Sequence, residues 1–228
     1  MKCPRCVQDI HRRAAQCPHC GFALPDLDDV YGGGAVRLKR LGDMAGALRL
    51  RERQKLESLM DRFESSFPQL FFSVYYGALE DAASVRQFGM WLLNHAVFED
   101  VDPSRANEGG VLLVVDLSKK MVSITYGYIL DPYLDEDETF QILAKAHPDL
   151  LQGNHLQAAC VVLKQLTRIL KKKSKHARRH PELYDPEYKR GEVSSHSLGG
   201  ARLDRSGSCI GDSVQVESET HREEERDK

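Results

Sequence analysis

The stretch Glu108-Gly109-Gly110-Val111-Leu112-Leu113-Val114-Val115-Asp116 decides how the rest of the chain is laid out. Val111 to Val115 is apolar throughout, with no alternation, as in a strand buried on both faces. The polar run from Glu99 to Gly110 reads as a loop leading into it, and Asp116-Leu117-Ser118-Lys119-Lys120 as the turn leading out. From Met121 to Ile129 the pattern changes to period two: Val122, Ile124, Tyr126 and Tyr128 alternate with Ser123, Thr125 and Gly127, the mark of a strand with two unlike faces.

Outward from this pair, Leu70-Phe71-Phe72-Ser73-Val74-Tyr75-Tyr76 is a further strand, rich in aromatic residues. Leu56, Leu59, Met60, Phe63 and Phe67 fall on one face of a helix that Pro68 ends. Residues 84–95 form a second helix, with Val85, Phe88 and Leu92 on one side. On the C-terminal side, a helix over 135–147 opens with Asp135, Glu136, Asp137 and Glu138, the favourable sense of charge for a helix start. A last helix spans 154 to about 173, with Leu156, Cys160, Leu163, Leu166 and Leu170 on one face and Cys160 as a core residue. Strands with helices before, between and after them predict an α/β sandwich.

The N-terminus is a different kind of sequence. Cys3-Pro4-Arg5-Cys6 and Cys17-Pro18-His19-Cys20-Gly21 are two CxxC turns separated by ten residues. Each turn aims two sulfurs at one ion, and two such turns complete a tetrahedron, so Cys3, Cys6, Cys17 and Cys20 are the expected ligands of a zinc ion. Pro4 and Pro18 stiffen the turns and Gly21 supplies a positive φ. With four thiolates present, His11 and His19 are bystanders, and a site filled by protein ligands is structural. A redox CxxC needs a surrounding βαβ unit, and none precedes residue 25. The stretch resembles the short zinc ribbons at the N-termini of many bacterial proteins, where such modules serve contacts with protein or nucleic acid.

The expected domains are a ribbon over 1–25, a linker over 26–42, an α/β domain over 43–173 and a disordered charged tail over 174–228. The linker assignment rests on Pro25, Asp26-Leu27-Asp28-Asp29 and Gly32-Gly33-Gly34, and it predicts that ribbon and domain fold separately. At 228 residues the chain has room for one mid-sized domain with small appendages. A net charge of -2 argues against a surface that grips nucleic acid as a whole. Lys171, Lys172, Lys173, Lys175, Arg178 and Arg179 form a local basic cluster, read first as helix capping and solubility and second as a nucleic-acid patch. No apolar run approaches the roughly 18 residues of a membrane helix, and Met1-Lys2-Cys3-Pro4 has no apolar signal region. A soluble, cytoplasmic protein is expected. Paired CxxC turns fit that compartment better than disulfides do, and Cys209 falls in the tail.

Residues 108–116, the turn, and Val122-Ser123-Ile124-Thr125-Tyr126-Gly127-Tyr128 resemble the core of the TPM domain family, with its "G-(V/L)-L-L-L-V" strand and a following strand that ends in "V-G-Y-G". Gly127-Tyr128 matches the end of that strand and Leu134-Asp135 the "L-(T/S)-D" of the next helix start. His147-Pro148 and Gly153-Asn154-His155 stand where the family has "P-x-(F/L)-x-x-G-(D/N)-(Y/W)". The resemblance covers roughly residues 45–170. The chain departs from it in lacking an Asn-Asp pair before the first helix, in reading Asn107-Glu108-Gly109-Gly110 where Asp-Asn-Gly is usual, and in carrying Ile129 for the second glycine. Most members are exported or membrane-anchored, which this chain is not expected to be.

The resemblance implies a three-layer α-β-α sandwich with a short mixed sheet. It also implies acid phosphatase activity, binding of calcium or another divalent ion, and roles in repair or assembly of membrane complexes. Carboxylates available for such a site are Glu99, Asp100, Asp102, Asp116, Asp135 and Asp137. Asp100, Asp116, Asp135 and Asp137 are the candidate set for calcium or magnesium. The chain has no P-loop, phosphatase cysteine motif or aspartyl-phosphate motif, so a non-catalytic protein-interaction or assembly module is the first functional expectation. A weak divalent-dependent phosphatase and a nucleic-acid-associated protein are the alternatives.

Overall fold

The computed structural model describes residues 2–11, 14–79 and 84–184. After the N-terminal ribbon comes helix α1, Pro25–Tyr31, which starts on a proline and carries Asp26 and Asp28 in its first turn. Strands β1 (Val36–Leu38) and β2 (Leu41–Asp43) follow, then helix α2 (Leu50–Ser66) and strand β3 (Phe71–Gly77). Helix α3 (Val85–His95) runs directly into strand β4 (Ala96–Phe98). Strands β5 (Gly110–Asp116) and β6 (Met121–Tyr126) form a hairpin, and the long helices α4 (Glu136–Leu151) and α5 (His155–Arg179) close the domain.

The main sheet has the order β2-β3-β5-β6. Its first three strands are parallel and β6 is antiparallel to β5, so the sheet is mixed. β1 and β4 pair separately in parallel. Period-two alternation sends Phe72, Val74, Tyr76, Val111, Leu113 and Val115 into one core with α2, α4 and α5. Phe71, Leu112 and Val114 go into a second core against Val85, Phe88, Trp91 and Leu92 of α3. β5 is buried at every position, and its five apolar side chains, Val111 to Val115, are divided between these two cores. The result is the expected sandwich, with a helical layer on each face of the sheet.

Five expectations differ in detail, the smallest being Cys160, which is only half-buried and belongs to neither core. The stretch 26–42 holds α1, β1 and the start of β2. Leu27 is buried with Cys3, Cys17 and Phe22 of the ribbon and with Val85, Phe88 and Trp91 of α3 in one core. Trp91 Nε1–H donates to the Gly32 carbonyl at 2.8 Å, which ties the glycine run to α3. Short strands that pair with partners far along the chain leave little local pattern, so they read as linker.

β6 stops at Tyr126, not at Ile129. A Cβ on Gly127 would lie 2.1 Å from the Glu108 carbonyl oxygen, and the chain turns there into one 3-10 turn, Tyr128–Leu130. α4 continues through Pro148 to Leu151. α5 extends to Arg179, so the basic cluster is helical and lies outside the tail. Its lysines and arginines are good helix formers, and they complement the helix C-terminus. Of the expected tail, residues 185–228 lie outside the described residues.

Candidate metal centre

The ribbon is built from two matching turns. Cys3 N–H donates to Gln8 O and Val7 N–H to Cys3 O, at 2.9 and 3.0 Å. In the second turn Cys17 N–H donates to Phe22 O and Gly21 N–H to Cys17 O, at 2.7 and 2.9 Å. Val7 and Gly21 hold the same place in each turn, and both have positive φ, 63° and 72°. Glycine takes this conformation freely, whereas a β-branched side chain is strained in it. Isolated bridges, Lys2 to Asp9 and Gln16 to Ala23, close each turn into a minimal hairpin.

The four sulfurs lie within 4.8 Å of one another. Cys3 Sγ is 3.7 Å from Cys20 Sγ, and Cys6 Sγ is 3.6 Å from Cys17 Sγ. Cys3 and Cys17 are buried; Cys6 and Cys20 are partly exposed. Without a cation the thiols divide. Burial opposes ionisation of Cys17, but the N–H groups of His19 and Cys20 and the thiols of Cys6 and Cys20 bring its pKa down to about 6. The Phe22 N–H favours the Cys20 thiolate, but burial and the neighbouring sulfurs of Cys6, Cys17 and Cys3 push it up to about 12. Four thiolates this close need a cation among them to be deprotonated together.

The candidate carboxylates are placed one by one in local structure. Asp100 accepts from the backbone N–H and Nε–H of Arg40, at 2.8 and 3.2 Å. Arg40 also pairs with Asp61 at 3.0 Å and with Glu64, which Arg105 shares, so Asp100 joins β4 to α2 through an ion network. Asp116 is wholly buried at the end of β5. Its Oδ1 accepts from Ser118 N–H (3.0 Å), Ser118 Oγ–H (2.6 Å) and Lys119 N–H (3.3 Å), which shapes the β5–β6 turn. Burial works against its charge, but the Ser118 hydroxyl and the N–H groups of Lys119, Leu79 and Ser118 hold the carboxyl below the ordinary range. Asp116 Oδ2 has no hydrogen-bond partner among the described residues.

Asp135 is the N-cap of α4. Its Oδ1 accepts from Glu138 N–H at 2.7 Å, and the Glu138 carboxylate accepts the Asp135 N–H at 3.3 Å in return. Asp137 lies in the first turn of the same helix, beside a groove that Lys2 also lines. Glu99 donates its N–H to Leu38 O at 3.0 Å, and Asp102 caps a turn through Ser104. Among the described residues, the set of three or more metal-ligating groups drawn within 4.8 Å of one another is the four cysteines. The structure does not gather Asp100, Asp116, Asp135 and Asp137 into such a set.

Asp43 is a buried carboxylate outside the candidates that the sequence suggests. Its side chain is fully enclosed and accepts from Ala47 N–H (2.7 Å), Leu48 N–H (3.1 Å) and the Arg53 guanidinium (2.8 Å). It ends β2 in register with Tyr76, while Asp116 ends β5 in register with Gly77, so the two carboxylates flank β3 at one end of the sheet. Ligands of open parallel sheets bind at such strand ends. The only sequence signal for it is an aspartate a few residues ahead of a helix, and a β2 that reads as linker hides its place at a strand end. The Tyr76 hydroxyl donates to His155 O at 3.0 Å at this same end.

The basic cluster lies along the last turns of α5. Lys172, Lys173, Lys175, His176 and Arg179 border a shallow cavity closed by Tyr184, and Lys173 pairs with Glu138 at 3.1 Å. Among the described residues no helix is long and apolar enough to cross a membrane.

The TPM domain family model matches residues 41–169 of this chain. Two solved structures are similar to it. The N-terminal domain of the cg2496 protein from Corynebacterium glutamicum is 13% identical, with a TM-score of 0.45 over 57% of this chain and 78% of that one. The N-terminal domain of a protein from P. gingivalis is 20% identical, with a TM-score of 0.46 over 59% of this chain and 83% of that one. No curated protein matches the chain.

Proposed function

Because this chain belongs to the TPM domain family over residues 41–169, we propose that it is a non-catalytic protein-interaction or assembly module whose N-terminal ribbon is built on one structural zinc ion. The observation that carries this reading is the shared core of ribbon and domain: Cys3 and Cys17 are buried together with Val85, Phe88 and Trp91. A metal held there stiffens the ribbon, α1 and α3 as one continuous surface. Four soft thiolates in a tetrahedral set suit zinc and leave no open position for substrate, as expected of a structural ion. The thiolates must stay reduced, which favours the cytoplasm. The partner class proposed is protein.

A second reading has one observation in its favour. Asp116 Oδ2 is buried and unpartnered among the described residues, at the sheet end it shares with Asp43. A divalent ion such as calcium or magnesium there would support a weak phosphatase. Against a shared ion, Asp43 is already engaged by Arg53 and two N–H groups.

Metal analysis of protein purified under reducing conditions, with a thermal melt with and without calcium, separates the two. One zinc per chain, no calcium shift and no hydrolysis of p-nitrophenyl phosphate are expected. A calcium-dependent rise in Tm together with hydrolysis that Asp116→Asn abolishes would replace the module by the phosphatase. Protein with no bound metal would overturn the zinc assignment.

A further inference from the structure

Helix α5 carries lysines and arginines from Lys164 to Arg179 and has neither Asp nor Glu in its length. Lys164, Arg168, Lys171, Lys175 and Arg178 succeed one another at intervals of four, three, four and three residues, which sets them in one row along the helix. All five are exposed, and the exposed Lys172 and Arg179 widen the row. The opposite side of the helix, with Leu163, Leu166 and Leu170, is buried in the core shared with α2 and α4. Lys173 lies off the row and pairs with Glu138 of α4 at 3.1 Å. Among the described residues, no member of the row pairs with a carboxylate.

The usual roles of surface cations do not account for this row. The helix dipole acts within the last turn. Arg178 and Arg179 are there, but Lys164, Arg168 and Lys171 stand well inside the helix. A solvated helix face ordinarily mixes signs, because opposite charges four residues apart attract and like charges repel. Here Arg168 and Lys172, Lys171 and Lys175, and Lys175 and Arg179 are like-charged neighbours of that kind. The whole chain has a net charge of -2, so the positive charge is gathered on this face and not spread over the molecule.

We infer that the exposed row of α5 is a docking surface for double-stranded nucleic acid, held by its phosphate backbone without regard to sequence. Charge complementarity carries the assignment. From Lys164 to Arg178 the row is about 21 Å long, the length of roughly six base pairs, and each strand of a duplex offers a phosphate about every 3.4 Å. A membrane is a poorer match, since an interfacial helix buries an apolar face in the lipid and α5 commits its apolar face to the core. A stable protein interface centres on aromatic or aliphatic anchors, and the row has none. Nor does α5 have a Phe, Tyr or Trp on which the bases of a single strand could stack. α5 packs into the core on one face of the sheet, whereas the ribbon and α3 share the core on the other. A protein held by the ribbon and a duplex held by α5 would therefore not compete. The inference rests neither on the metal nor on the module reading.

Fluorescence anisotropy of labelled DNA and RNA duplexes of about 20 base pairs, titrated with the full-length, metal-loaded protein, tests it. Binding in the micromolar range is expected at about 50 mM salt, with log K falling against log salt at a slope of about -4 to -6. The tighter of the two duplexes identifies the nucleic acid. Lys171→Gln with Lys175→Gln and Arg178→Gln should weaken binding at least tenfold and make the slope shallower by about 3, since each lost phosphate contact removes about 0.9. An unchanged Tm checks that this variant is folded. Arg37→Gln with Lys39→Gln and Lys120→Gln removes the same charge from exposed positions elsewhere and should leave affinity and slope nearly as they are. Equal losses in the two triple variants would overturn the inference, by reporting net charge and not the row. No duplex binding at about 50 mM salt would also overturn it. So would tighter binding of single strands, phosphatidylserine vesicles or polyglutamate than of either duplex.

Discussion

The cysteine centre and the carboxylate end of the sheet are both clusters of ligand-type residues, yet one converges and the other does not. In the ribbon, two CxxC turns each fix a pair of sulfurs locally, and one short loop brings the pairs together. At the sheet, Asp43 and Asp116 are set by strand register, and each is satisfied mainly by its own turn: Asp43 by Ala47 and Leu48, Asp116 by Ser118 and Lys119. Asp135 and Asp100 are taken up by a helix cap and an ion network. An acidic side chain near a chain reversal finds backbone N–H donors at once. A thiol sulfur is itself only a weak acceptor, so its strong partner is a metal.

The largest break in this comparison should come at the ribbon. Cys17→Ser, or removal of metal by a chelator, should destabilise the domain by several kcal/mol, because structural zinc contributes folding free energy directly. Since Cys17 shares its core with α3, calorimetry should show one transition moving down as a unit. A ribbon transition lowered or lost beneath an unmoved main one would restore the picture of two independent modules.

Next, Asp43→Ala removes the enclosed carboxylate that the Ala47 and Leu48 N–H groups and the part-exposed Arg53 guanidinium bond, and a loss of about 2 kcal/mol in urea unfolding is expected. An effect below about 1 kcal/mol would mean that the β2 end is not the buried anchor it looks to be.

Asp116 gives a pH test with a definite sign. Its folded pKa is depressed, so the charged form contributes stability that is fully present above the unfolded value of about 3.9. That contribution is lost as pH falls through the lower folded value. Asp116→Asn should cost about 1–2 kcal/mol at neutral pH and flatten the acid limb of the stability profile below about pH 4. An unchanged acid limb would refute this assignment.

Asp135→Ala should remove about 1 kcal/mol through loss of the N-cap, with the same melting response to calcium as the unaltered chain; a lost calcium response would put Asp135 in a metal site. The smallest effect is a gain. Val7 is exposed, and its φ of 63° is one a β-branched residue tolerates poorly. Val7→Gly should therefore raise the stability of the metal-loaded protein by about 0.5–1 kcal/mol, net of the entropy glycine brings to the unfolded chain. No gain would mean that the Val7 side chain makes compensating contacts.

Much of this architecture is legible in the order of residues alone. The apolar run at Val111–Val115, the alternation that follows it, the CxxC spacing and the helix faces are short-range patterns, and each is repeated in the folded molecule. The family resemblance rests on the order of those same elements. Three-residue strands such as Val36–Leu38 and Leu41–Asp43 are not legible, because their partners, Ala96–Phe98 and Val74–Tyr76, lie at least thirty residues away. Nor is the packing of the ribbon on α3: a run of glycines reads as a spacer until Trp91 is seen bonded to Gly32.

By itself, then, the sequence determined the buried hairpin, the amphipathic helices and the four-sulfur site, since each depends on residues close enough to form a period or a turn. Only the tertiary structure decided which of the two cores each face enters, that the ribbon belongs to the α3 core, and that the aspartates are spent separately. Those outcomes depend on contacts between distant segments. Their energies come from shape and burial, which no local spacing records.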